Sequence, residues 1–174
     1  MSHDVFAPLA RFTGFLARVA LWVAGIGLVA MTALIFAQVI ALKIVNDSIV
    51  WSEPGGIILM GWFIFLGAAV GIREGYHLSF DVLLSILPRR VTLTLHTVSD
   101  LAVGGFGAGM IWFGMQLAIR TAGNKLPSLG ISGAWDFVPI VAGGALIVIF
   151  SAERIARRAA GLDTARFGQE AVID

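Results

Sequence analysis

The chain contains no cysteine. That excludes disulfides, thiolate-bound metals, iron–sulfur ligation and covalent haem attachment. Charge is scarce as well: only 13% of the 174 residues are Asp, Glu, Lys or Arg, about half the share of an ordinary soluble domain. What remains is apolar, 58% of the chain. A soluble fold of this size could not cover that much apolar surface, so a bilayer is the expected solvent. A net charge of +1 with scattered basic residues argues against a nucleic-acid partner. Internal repeats and low-complexity tracts are not evident.

The charge-free runs set the architecture. Val19 to Leu42 carries no ionisable residue. At about 1.5 Å per residue this run covers roughly 36 Å, enough to cross a hydrocarbon core of about 30 Å with some tilt. It also exceeds the roughly 7–15 apolar residues of a cleaved signal segment. Further charge-free runs cover 54–72, 101–119 and 137–152. The last is short, but Ala134 and Trp135 before it and the arginines after it extend it. Ser52-Glu53-Pro54 and Asp136 with Pro139 read as helix starts: proline lacks the N–H that a first turn leaves unused, and an acid suits the positive end of the helix dipole. Trp51 and Trp135 stand beside these starts, where indoles favour the interface.

Four spans put both termini on one side. Of the 12 Lys and Arg, nine (Arg11, Arg18, Arg73, Arg89, Arg90, Arg154, Arg157, Arg158 and Arg166) fall on that side, and three (Lys43, Arg120 and Lys125) on the other. This bias places both termini and the 73–90 connection in the cytoplasm. Within that connection Ser79 caps a short helix that Pro88 ends, with Phe80, Leu83, Ile86 and Leu87 on one face. The stripe is too short to span and reads as a helix lying in the interface. The expected fold is therefore an all-α membrane protein. It has one domain, with four transmembrane helices at about 15–44, 53–73, 91–120 and 135–157, plus a short cytoplasmic-side interfacial amphipathic helix at about 79–87.

Candidate functional groups are few. His77 and Asp81, four apart, have metal-ligand spacing but no third ligand nearby in sequence. Asp100 lies within the third span, and His96 sits one turn before it on the same face; the pair is either a proton or ion relay or an interhelical polar lock. Gln38 and Thr32 are the polar residues of the first span that could meet a neighbour. Small residues are abundant: Gly104, Gly105, Gly107, Gly109 and Gly114 in the third span, Gly67 to Gly71 in the second, Gly143 and Gly144 in the fourth. GxxxG pairs at Gly105/Gly109 and Gly67/Gly71 suit close helix packing, within a bundle or against another membrane subunit. A transporter core shows broken helices and convergent polar groups near mid-depth. This sequence shows neither.

Trp51-Ser52-Glu53-Pro54, followed by "GWFIFLGAAVGIREGYHLSFDVLLSILP" from Gly61 to Pro88, resembles the small membrane subunit (DctQ-like) of tripartite ATP-independent periplasmic (TRAP) transporters. The matching positions are Glu53, Trp62, Leu66-Gly67-Ala68-Ala69, Arg73, Gly75, His77, Asp81 and Leu87-Pro88. "LGISGAWDFVPI", residues 129–140, resembles the stretch leading into that family's last helix. The chain departs from the family in having Glu53-Pro54 in place of two adjacent acids, and Ser132-Gly133 where a proline is usual. The resemblance implies a non-enzymatic subunit without cofactor, in the bacterial inner membrane. It would act as scaffold and anchor for a large membrane subunit in sodium-coupled uptake of carboxylate-type solutes, delivered by a periplasmic binding protein. On this reading Arg73, His77 and Asp81 are candidate contacts to the large subunit or lipid, and Trp51, Glu53, Lys125 and Trp135 candidate contacts to the periplasmic protein. The rival functions are a self-contained proton-coupled carrier using Asp100, and a b-type cytochrome subunit with His77 and His96 as axial ligands.

Overall fold

In lipid every backbone N–H and C=O must find its partner within the chain, so long apolar runs fold as helices. The computed structural model describes residues 3–44, 46–75, 88–126 and 128–162. They form α1 (His3–Ile44), α2 (Ser52–Arg73), α3 (Arg89–Thr121) and α4 (Val138–Ala159), with a one-turn 3-10 helix at Gly133–Asp136 ahead of α4. All four α-helices are long and apolar enough to cross a membrane. Among the described residues there is no strand. The interfacial helix expected at 79–87 lies outside the described residues.

The helices differ in length. α2 has 22 residues, about 33 Å, which matches the hydrocarbon thickness. α1 has 42 residues, about 63 Å, and starts well before the expected position near residue 15. Its inner stripe of Thr13, Ala17, Ala20 and Ala24 is buried, so packing supports the helix below the charge-free run. α3 starts at Arg89, directly after Pro88, whose extended ψ of 141° precedes the first turn. At the fourth helix the expected start resolves into two parts. The Ser132 hydroxyl accepts from Ala134 N at 3.2 Å to cap the 3-10 turn, and Pro139 then sits in the first turn of α4.

The connections opposite the α2–α3 link are held by hydrogen bonds. Gln38 Oε1 accepts from Ile49 N at 2.8 Å, and the buried Ser52 hydroxyl donates to Ile49 O at 2.7 Å, so the α1–α2 turn is pinned to both helices. Between α3 and α4, Gly133 N donates to Asn124 O at 2.7 Å and the Ser132 hydroxyl to Ala122 O at 2.8 Å. Gly130 (φ 68°) makes the reversal that these bonds close.

Neighbour order is not chain order. α1 packs on α2, α2 on α4 and α4 on α3. α1 touches α4 only lightly, and α1 and α3 share hardly any contact, as do α2 and α3. The four helices thus form an open layer, α1–α2–α4–α3, rather than a closed bundle. Glycine sets its spacing. A Cβ on Gly143 would meet Phe65 Cβ at 2.6 Å, joining α4 to α2, and one on Gly144 would meet Gly107 O at 2.8 Å, joining α4 to α3. Gly114 faces Ile140 and Val141, and Gly104 faces Ser151. The GxxxG pair Gly105/Gly109 does not take part: a Cβ on either would meet nothing within 4 Å, and the same holds for Gly67.

These contacts separate two kinds of glycine. Gly143→Ala is expected to cost about 1–3 kcal/mol, because the Phe65 backbone cannot yield to a new methyl group. Gly105→Ala and Gly109→Ala should be neutral or gain up to about 1 kcal/mol of helix propensity. Reversible unfolding of the full-length protein in mixed micelles reads both.

Candidate functional site: an ion clasp at one end of the layer

Charged side chains gather where α2 ends, and there they reach every helix. Asp100 on α3 has no exposed surface. An isolated carboxylate in that position would cost several kcal/mol. α4 satisfies it with two arginines one turn apart. Arg154 Nε donates to Asp100 Oδ1 at 3.1 Å, and Arg158 NH2 donates to Oδ2 at 2.6 Å. Each carboxylate oxygen therefore has its own guanidinium donor, the stronger class of protein hydrogen bond.

Both arginines do more than neutralise Asp100. Arg154 NH1 donates to the backbone carbonyl of Arg73 at 3.1 Å, filling an acceptor that the end of α2 leaves without an intrahelical partner. Arg158 NH1 donates to the Thr97 hydroxyl at 3.1 Å, one turn before Asp100 on α3. The clasp thus binds α2, α3 and α4 at one level.

Arg73 extends it toward α1. Its side chain is only 12% exposed and lies between Glu74, whose Oε1 is 3.4 Å from NH1, and the buried Glu153, whose Oε2 is 3.9 Å from Nε. The second pair attracts without a hydrogen bond. The guanidinium also stands 6.0 Å from the centre of the buried Phe150 ring. On the α1 side a Cβ added at Gly14 would lie 3.4 Å from Arg73 NH2, so the absence of a side chain there leaves the arginine its room. Glu153 Oε1 pairs with Arg157 Nε at 3.4 Å, one turn on.

The residues singled out from the sequence fall at both ends of the layer. Arg73, a candidate contact to the large subunit or lipid, is part of the clasp, with its side chain mostly covered. Asp100 does form an interhelical contact, and its carboxylate is taken by Arg154 and Arg158. His96 is buried one turn away. Trp51, Glu53, Lys125 and Trp135 are all exposed and sit at the opposite end from the clasp, around the start of α2 and the α3–α4 turn. Lys125 pairs with Ser132 across that turn. His77 and Asp81 lie outside the described residues. Among the described residues no group of three or more His, Cys, Asp or Glu could hold a metal ion. Arg154 and Arg158 were not singled out, because they follow the last charge-free run and read as tail charges. Their four-residue spacing, facing an acid that needed a partner, was the available signal.

Comparison with known proteins points one way. Residues 31–161 match the family described as "Tripartite ATP-independent periplasmic transporters, DctQ component". The chain is similar to the C4-dicarboxylate TRAP transporter small permease protein DctQ of Vibrio cholerae, with 39% identity over 62 residues, 36% of this chain and 27% of that protein. It is similar to the sialic acid TRAP transporter small permease protein SiaQ of the same organism, with 29% identity over 126 residues, 72% of this chain and 73% of the relative. It is also similar to the sialic acid TRAP transporter permease protein SiaT of Haemophilus influenzae, with 26% identity over 124 residues, 70% of this chain but only 20% of that protein.

The clasp is expected to behave as a unit. Asp100→Leu alone should destabilise by about 3 kcal/mol, since it leaves two guanidinium groups facing an apolar surface. Asp100→Leu combined with Arg154→Leu and Arg158→Leu should recover most of that loss, whereas Glu74→Gln, at the partly exposed rim, should stay within about 0.5 kcal/mol of the parent. Thermal unfolding in detergent distinguishes the three.

Proposed function

The chain belongs to the DctQ family of TRAP transporter components, as a small membrane subunit, and on that premise we propose that it is a non-catalytic scaffold and anchor for a large membrane transport subunit. The observation that carries the proposal is the open layer. Solute passage through a protein needs groups that surround the route, and α1 and α3 stand at opposite edges with hardly any contact. Each helix also runs unbroken through its span, without the interrupted segments that build mid-depth substrate and ion sites. α2 has no ionisable residue from Pro54 to Ile72, and α3 none from Leu101 to Ile119. Thr32, the polar group near the middle of α1, is bonded to Leu28 O at 2.8 Å within its own helix. Asp100, the acid that a self-contained proton-coupled carrier would use, has both carboxylate oxygens engaged by arginine.

The partner follows from the relatives. In the Haemophilus permease the similar segment is one fifth of the protein, so comparable helices occur there beside a much larger permease portion. The transported solute belongs to other chains; two relatives are named for C4-dicarboxylate and sialic acid, which share a carboxylate, and this class is the one we assign. Sodium coupling and delivery by a periplasmic binding protein complete the assignment by family likeness. Both termini and the clasp face the cytoplasm, on the strength of the nine-to-three distribution of basic residues. Trp51, Glu53, Lys125 and Trp135 then face the periplasm, where a binding protein docks.

The test is assembly. With the chain tagged and co-expressed with the large TRAP subunit of its own bacterium, the two are expected to co-elute through affinity and size-exclusion steps in mild detergent. Deletion of the chain should abolish solute uptake in cells, and its return should restore it. An intact large subunit that elutes apart and sustains full uptake without this chain would overturn the proposal.

A further inference from the structure

We propose that the outer edge of α1 holds an anionic phospholipid, with the headgroup phosphate taken between Arg11 and Arg18. Arg11, Phe15, Arg18 and Trp22 stand at i, i+4, i+7 and i+11 of one helix, so they form a single line along it. All four are exposed. The line lies on the side of α1 opposite its buried stripe, Thr13, Ala17, Ala20 and Ala24. These two arginines differ from those of the clasp. Arg73, Arg154, Arg157 and Arg158 are drawn against Glu74, Glu153 and Asp100. Among the described residues neither Arg11 nor Arg18 takes part in an ion pair.

Depth makes the two arginines a site. Gly14 stands beside Arg73, at the level where α2 ends. Because α2 matches the hydrocarbon in length, the hydrocarbon ends close to Gly14. At about 1.5 Å per residue Arg11 is rooted about 4.5 Å outside that boundary and Arg18 about 6 Å inside it. Helical side chains slant toward the N-terminus, which for α1 is the clasp side. The Arg18 guanidinium therefore reaches back to the boundary while its stem stays among acyl chains. Both cations then meet the depth of the lipid phosphates, with Phe15 between them on the line and Val19 and Trp22 above as an apolar wall for an acyl chain. A guanidinium rooted in hydrocarbon is costly unless an anion meets it, and one phosphate accepts from two guanidinium groups. A zwitterionic lipid offers the same phosphate but brings a cation of its own, so charge complementarity selects a headgroup of net negative charge. At the opposite edge of the layer the large side chains that α3 exposes around the same depth, Leu95, Val98 and Leu101, are apolar. The site is independent of the scaffold role; only its leaflet, the cytoplasmic one, follows from the topology proposed above.

The experiment uses the full chain, stripped of lipid by washing in mild detergent. It is titrated with phosphatidylglycerol, with phosphatidylcholine of the same acyl chains, or with inorganic phosphate, and bound adducts are counted by native mass spectrometry. The parent is expected to retain phosphatidylglycerol roughly tenfold better than phosphatidylcholine, and to hold no inorganic phosphate. Arg11→Gln with Arg18→Gln should bring that preference close to unity while the chain melts with the parent, since both positions are exposed. Lys43→Gln with Arg120→Gln, at the other end of the layer, should leave the preference unchanged. Equal retention of the two lipids by the parent, a preference that survives the loss of Arg11 and Arg18, or equal retention of inorganic phosphate would overturn the proposal.

Discussion

The structure turns on one requirement: the carboxylate of Asp100, buried in a helix meant for lipid, must be met by positive charge from the same depth. α4 meets it with Arg154 and Arg158, and the consequences spread from there. Because Arg154 also reaches the Arg73 carbonyl, the end of α2 is fixed to the same point. Because Arg73 is then held over Phe150 and near Glu153, its guanidinium occupies the space that Gly14 leaves open on α1. Charge fixes α2, α3 and α4 to one another at one level. Above that level charge plays no part, and glycine-mediated backbone approach takes over. The two devices are complementary: lipid gives helices no hydrophobic reason to associate, so close packing and satisfied polar groups must supply it.

The resulting layer explains what the chain is fit to do. An open row of helices has two broad faces and no interior, so it cannot enclose a solute. It can present a large, stiff apolar wall to a neighbour while holding its own charges at one rim and its exposed tryptophans, Trp51 and Trp135, at the other. Those are the features on which the proposed scaffold role rests. It also accounts for the high share of large apolar side chains left uncovered, among them Trp22, Phe36, Phe106 and Trp112.

Much of this was legible in the sequence, and the rest was not for definable reasons. The spans follow from charge-free length, and Glu53 with Pro54 and Pro139 mark helix starts by local chemistry alone. Asp100 was visible as an anomaly because an acid in a span always is. Its partners were not, since pairing across 54 residues depends on which helices are neighbours. For the same reason the neighbour order was not legible: α4 stands between α2 and α3. Glycine was legible as a composition but not as a contact. Gly105/Gly109 carries the familiar spacing yet faces outward, while Gly104, Gly107 and Gly114 face α4, a phase that only the position of α4 sets.

The central claim, that a layer without an interior conducts nothing alone, is tested most directly by flux. Purified chain is reconstituted by itself into sealed vesicles, and uptake of radiolabelled C4-dicarboxylate and sialic acid is followed under an imposed sodium or proton gradient. The account predicts uptake no faster than in protein-free vesicles, with transport appearing only when the large subunit and the binding protein are added. Gradient-driven uptake by the chain alone that Asp100→Asn abolishes would contradict it.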